Sequence, residues 1–257
     1  MTTKSKELIK VDEATLLPTT EAFKELQVNL EGIDPVFPRI NILHRADLFE
    51  MPDESKGESF QGIILDTNAT NAYWSVPYDD SGGGDPPDCF SPDAIAPDLN
   101  IVQAPEAEYC KPCPKNQFGS ADDKEDDRKK ACKNMRRVHI MLPGTFLPYR
   151  LALSPANLKP MNLYLTVLTS QGLSYQHVLT TFSLKPAKNK KGVEYSEIVL
   201  KKAQVIKSPD IRKQLKDMKA ELKGAMRGQI MLPDEYEEKP APPSAAEETE
   251  ESEREDK

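Results

Sequence analysis

The sequence is poor in the groups on which most enzyme mechanisms run. Its 257 residues hold three histidines, His44, His139 and His177, set far apart and outside any metalloprotease or deaminase pattern. There is no G-x-S-x-G elbow and no P-loop; Gly82-Gly83-Gly84-Asp85-Pro86-Pro87 lacks the lysine and the following helix that a phosphate loop requires, and reads as a flexible loop. The acidic run Asp122 to Asp127 has neither the central glycine nor the closing glutamate of a calcium loop, and reads as a solvated turn. Long apolar runs are missing too. Leu163 to Leu168 falls far short of the roughly 20 residues a membrane span needs. Met1 to Lys10 carries three lysines and no apolar stretch, so a soluble, cytoplasmic chain with no membrane partner is expected. These absences argue against an enzyme. A metal-dependent nuclease is the surviving catalytic alternative, because its dispersed carboxylates would leave no pattern.

What is present is concentrated. All four cysteines, Cys89, Cys110, Cys113 and Cys132, lie in one stretch. Cys110-Lys111-Pro112-Cys113 is a C-x2-C knuckle whose tight turn can aim two thiolates at one ion, and Cys89 and Cys132 lie about twenty residues away on either side to complete a tetrahedron. The reading is one Zn2+ per chain. An iron–sulfur cluster, disulfides and free thiols are the other readings, although Cys110 and Cys113 are too close for an easy mutual bridge. A closed four-thiolate zinc has no open position, and acts as a structural staple. Arg128, Lys129, Lys130, Lys133, Arg136 and Arg137 flank Cys132 without an intervening acid, so a folded cysteine site would fix part of this basic cluster in place.

The body around this stretch reads as short strands. Arg39 to Leu43 follows two chain-breaking prolines and alternates like a half-buried strand. Phe60 to Leu65 and Asn71 to Val76 read as a hairpin through the turn residues Asp66-Thr67-Asn68, with Trp74 on the core face and Tyr73 freer. Val138 to Leu142 and Tyr149 to Leu153 are joined by Pro143-Gly144, and a helix opens at Ser154-Pro155 and closes at Gly172. Val178 to Leu184 and Glu194 to Leu200 then flank a basic tip with Lys188, Lys190 and Lys191. The expected fold is mainly β with α, an α+β chain built on a small antiparallel barrel. An N-terminal peripheral segment (1–31) precedes a core at 32–207 that holds the four-cysteine insertion at 82–137.

The C-terminal part divides by charge. Ser208-Pro209-Asp210 starts an amphipathic helix, 208–228, whose stripe of Ile211, Leu215, Met218, Leu222 and Ala225 can dock on the sheet or, as the sharper alternative, mediate self-association through 211–225. From Lys185 to Arg227 there are thirteen basic and five acidic residues. Asp234 to Lys257 has eleven acidic and three basic, so the whole net charge of −8 resides there and the preceding residues balance. Residues 229–257, rich in Glu, Ser, Ala and Pro, are expected to be a disordered acidic tail.

Short-stranded β body, cysteine insertion with a basic cluster, second basic segment and acidic tail together resemble the phage-type single-stranded DNA-binding proteins. These are oligonucleotide-binding (OB) barrels, some with an inserted zinc subdomain. The run Cys113 to Ser120, followed by Ala131 to Asn134, is also similar to a signature of phage and mobile-element proteins. The ligand set here is all cysteine rather than one histidine and three cysteines, and the tail ends in Asp256-Lys257 rather than an aromatic residue. The resemblance implies an OB-like barrel that binds single-stranded DNA without reading sequence, in replication or recombination, within the bacterial host cytoplasm if phage-encoded. It implies a tail that competes for the groove and recruits replication or recombination proteins. The stacking candidates are Tyr73, Phe90, Tyr109 and Phe118, and the phosphate-binding candidates are Arg128, Lys129, Lys130, Lys133, Arg136, Arg137, Lys188, Lys190 and Lys191. A zinc-stapled adaptor that binds protein is the alternative from a different class.

Overall fold

The computed structural model describes residues 11–33, 35–44, 46–76, 86–121, 129–188, 192 and 194–228. Nine strands form one strongly curled sheet: β1 (Arg39–Leu43), β2 (Leu48–Glu50), β3 (Lys56–Gly57), β4 (Ser59–Tyr73), β5 (Cys89–Ser91), β6 (Lys133–Met141), β7 (Tyr149–Leu153), β8 (Val178–Lys188) and β9 (Glu194–Val205). Among the described residues three α-helices accompany it: α1 (Thr20–Gln27), α2 (Pro155–Ser170) and α3 (Pro209–Gly228). The strand order is β3-β2-β1-β7-β6-β4-β8-β9, with β5 added to β4. Mixed composition and a curled sheet agree with the expected class, but the sheet is not purely antiparallel, because β1 runs parallel to β7.

The expected hairpin at 60–76 is a single strand instead. Asp66, Thr67 and Asn68, read as a turn, continue β4 because each finds a tertiary partner. Asp66 is fully buried and receives Arg227 Nε at 2.8 Å and Lys219 Nζ at 3.0 Å from α3. Burial pushes the Asp66 carboxyl up, but the hydrogen bonds from Arg227 and Lys219 outweigh it and hold the group below its ordinary range. Thr67 Oγ1 donates to the Arg137 carbonyl, and Asn68 Nδ2 to that of Pro92. What remains of the break is a bulge, where the register on β6 shifts between Ile64 and Asp66.

Two apolar layers sandwich this strand. Ile64 joins Ile40, Val138, Ile140, Leu151, Phe182 and Ile198 inside the curl, where Met161, Tyr164 and Leu168 of α2 cover them. Ile63 and Leu65 face the other way, onto Leu16, Phe23, Phe37 and the α3 residues Leu215, Met218, Leu222 and Met226. The α3 stripe is therefore buried against its own sheet, which accounts for it by docking rather than by pairing with another chain. Side chains from α2 and from the end of β1 reach β9. Asn157 of α2, fully buried, donates to the Ser196 carbonyl at 3.3 Å and accepts from Ile198 N–H at 2.8 Å, while His44 Nδ1 accepts from Ser196 N–H.

Residues 1–10, the glycines at 82–84, the acidic run 122–127 and the tail 229–257 lie outside the described residues, as do Arg128, Lys190 and Lys191. The cysteine stretch merges into the sheet rather than standing apart. β5 pairs with the end of β4, and Phe90, Val102, Ala72 and Met135 form a shared apolar cluster. β6 starts immediately after Cys132, so the insertion ends there and not at 137.

Candidate nucleic-acid interface and cysteine site

The topology brings all four cysteines to one place. Cys89 enters on β5, the knuckle is pinned by Cys110 N–H to the Ile95 carbonyl at 2.8 Å, and Cys132 is held by its N–H to the Lys115 carbonyl at 2.8 Å. The thiols of Cys89, Cys110, Cys113 and Cys132 line a single cavity of about 20 Å³, with Asn71, Tyr73, Glu106 and Asn116 among its other walls. None is disulfide-bonded. Among the described residues no group of three or more His, Cys, Asp or Glu side chains stands as a preformed ligating set. Burial pushes the Cys132 thiol up to about 12, with the neighbouring Cys110, Cys113 and Cys89 adding repulsion, and burial raises Cys89 as well. Four cysteines around one small cavity are a donor set that fits a soft cation, which would replace the thiol protons.

The predicted basic cluster does not form one patch, because half of it, Lys133, Arg136 and Arg137, sits on a strand and period two divides these three. Lys133, Met135 and Arg137 point to one side of β6, and Asn134 and Arg136 to the other. On the first side Arg137 is 2% exposed, with its guanidinium 5.2 Å from the Phe90 ring centroid, and Lys133 Nζ lies 5.1 Å over Trp74. Arg137 and Phe90, expected to meet a bound strand, are thus buried and packed against each other. Tyr73 is likewise buried in the cysteine cavity wall, under Lys115 Nζ at 4.8 Å, because Cys110, Cys113 and Lys115 of the insertion close over the face on which it was expected to be free. Trp74, expected in the core, is half-buried.

On the second side lies a groove of about 470 Å³ between the insertion, β4–β6 and α2. Its floor is two cross-strand pairs, Ala69 opposite Arg136 and Asn71 opposite Asn134. Lys111, Asn116, Gln117, Phe118 and Lys130 of the insertion form one wall, and Leu158 and Asn162 of α2 the other. Among the described residues the lining holds three cations and no carboxylate. Phe118 is 73% exposed, with Lys130 Nζ 4.7 Å above its ring, so two predicted residues do meet. Burial holds the Arg136 guanidinium below its ordinary range, since it sits in the groove floor.

Lys129 is exposed near this wall, and Tyr109 is exposed on the insertion outside the groove lining. Lys188, on the far hairpin, is ion-paired with Glu194 at 2.8 Å. Lys111, Asn116 and Asn134 were not singled out in the sequence. Their spacing beside the knuckle and beside Cys132 is the only signal that would have found them. The histidines do not gather: His139 is buried edge-on to Phe37, His44 bonds β9, and His177 sits at the start of β8. Among the described residues no helix is long and apolar enough to cross a membrane. No family model, curated protein or solved structure matches this chain.

Proposed function

We propose that the chain is a single-stranded DNA-binding protein that holds the strand in the groove between its cysteine insertion, β4–β6 and α2. The observation that carries this reading is the lining, which combines Lys111, Lys130 and Arg136 with an exposed Phe118 and, among the described residues, no carboxylate. Cations there neutralise phosphates and release counterions, and a base stacked on Phe118 contributes roughly 1–3 kcal/mol without reading sequence.

Strand connectivity supports the finer fold reading. β4, β6 and β7 form an antiparallel meander, α2 follows, and the β8–β9 hairpin returns so that β8 pairs with β4. This order is consistent with the five-stranded Greek key of an OB barrel, except that β7 pairs with β1 and not with β9; in such barrels the face of strands two and three and the loops after strands one and four take the ligand. Here those are β6–β7, the cysteine insertion, and the connection between β8 and β9 that follows Lys188.

Cys89, Cys110, Cys113 and Cys132 are the residues that would hold a zinc ion. The ion would supply no chemistry, only a cross-link that keeps the groove wall folded. The acidic tail, with its net −8, would compete for the groove and become available to replication or recombination proteins once DNA displaces it. A fluorescence titration with labelled oligo(dT) at two salt concentrations tests the reading: tight, salt-sensitive binding without cleavage is expected. Salt-insensitive binding, or strand cleavage, would refute it.

A further inference from the structure

The cysteine cavity and the groove have two residues in common, Asn71 and Asn116, which form a shared wall. Asn116 is bonded to both sides. Its Nδ2 donates to the Cys110 carbonyl at 2.7 Å, and its backbone N–H to the Cys113 carbonyl at 3.0 Å. Its Oδ1 accepts from Lys130 Nζ at 3.2 Å and from Asn134 Nδ2 at 3.0 Å, and Asn134 Nδ2 also donates to Asn71 Oδ1 at 2.7 Å. One short, half-buried amide thus joins the knuckle carbonyls to a groove cation and to the groove floor. An amide is planar and its oxygen and nitrogen are fixed relative to one another, so the oxygen cannot keep both groove contacts if the knuckle that holds the nitrogen moves.

We infer that Asn116 is a positioning residue that couples the cysteine site to the groove, so that a bound strand and a closed thiol cluster stabilise one another. The inference rests on the groove being the binding site. Three of the thiols are buried, so reagents reach them only through local opening of the insertion. A strand that engages Lys130 and Asn134 favours the closed arrangement, and by reciprocity the closed arrangement favours the strand.

The reciprocal direction gives a test that does not depend on which metal, if any, is bound. The full chain is reacted with a chromogenic thiol reagent, with and without saturating oligo(dT), in wild type and in Asn116→Ala. Coupling of ordinary size predicts that oligo(dT) slows wild-type labelling by at least about fivefold. In the variant, saturated with the same oligonucleotide, the slowing should shrink to less than about twofold. Asn116→Asp, which keeps an oxygen toward Lys130 and Asn134 but cannot donate to Cys110, should behave like the alanine variant, and serves if Asn116→Ala does not fold. Equal protection in wild type and variants would mean that the strand simply covers the thiols, and would overturn the coupling. Binding without protection in wild type would also overturn it and leave the groove reading intact. Absence of any oligonucleotide binding would remove both.

Discussion

Removing Lys111 and Lys130 together should change the salt dependence of binding more than any other pair of substitutions. Both line the groove, Lys111 exposed and Lys130 half-buried with its ammonium shared between Asn116 Oδ1 and the Phe118 face. Each phosphate contact to a single strand contributes about 0.7 to the slope of log affinity against log salt. A fourfold rise in salt, from about 50 to 200 mM, therefore costs a factor of about 2.6 per contact and about 7 for two. The Lys111→Ala/Lys130→Ala protein should show a slope flatter by about 1.4, and its deficit relative to wild type should shrink about sevenfold across that range. Anisotropy titrations of labelled oligo(dT) read this directly. Phe118→Ala is the counterpart: stacking releases no counterions, so affinity should fall by about 1–3 kcal/mol at both salts with the slope unchanged. Lys133→Ala should leave the slope as it is, because that ammonium sits over Trp74 on the opposite face of β6. Parallel salt plots for wild type and the double variant would refute the placement of the strand in this groove.

Purified protein should contain about one zinc per chain, lost together with thermal stability in Cys113→Ser; elemental analysis showing iron, or metal retained by the variant, would contradict this. Truncation after Leu232 should raise oligo(dT) affinity at low salt, with the gain fading as ionic strength rises, since screening weakens the tail's competition; equal affinities at low salt would leave the tail a solubility role. His139 has no hydrogen bond to either ring nitrogen among the described residues, and burial, followed by repulsion from Arg137, pushes its pKa down to about 3. The native state thus refuses a proton that the unfolded chain takes up near 6.5. Stability should fall as pH drops below about 6.5 and continue falling toward 3, by about 1 kcal/mol between about pH 6 and pH 5. Urea melts over that range should show the loss in wild type and a smaller one in His139→Asn; the same pH dependence in both would contradict the assignment.

Local patterns were enough for the regular elements. The caps and periods at Ser154-Pro155, Gly172 and Ser208-Pro209 mark helices that end where the chain itself supplies a proline or a left-handed glycine, Gly172 having φ +69°. Alternation likewise marked β1, β6, β7, β8 and β9, since a half-buried strand writes its period into the sequence. Four cysteines around a C-x2-C turn were legible as one cluster for the same reason, because a tight turn fixes the spacing of its ligands. Asp66, Thr67 and Asn68 were not legible. Their turn propensity is local, and it lost to Arg227, Lys219 and two backbone carbonyls that lie far away in the chain. The same holds for the interface. Sequence alone determined that cations and aromatics gather around Cys132, but whether a given side chain meets solvent or its own core depends on which face of β6 it occupies and on what covers that face. Arg136 and Phe118 came to the groove, whereas Arg137 and Phe90 were folded against each other by β5. Burial is a property of the packed sheet, and no residue carries it by itself.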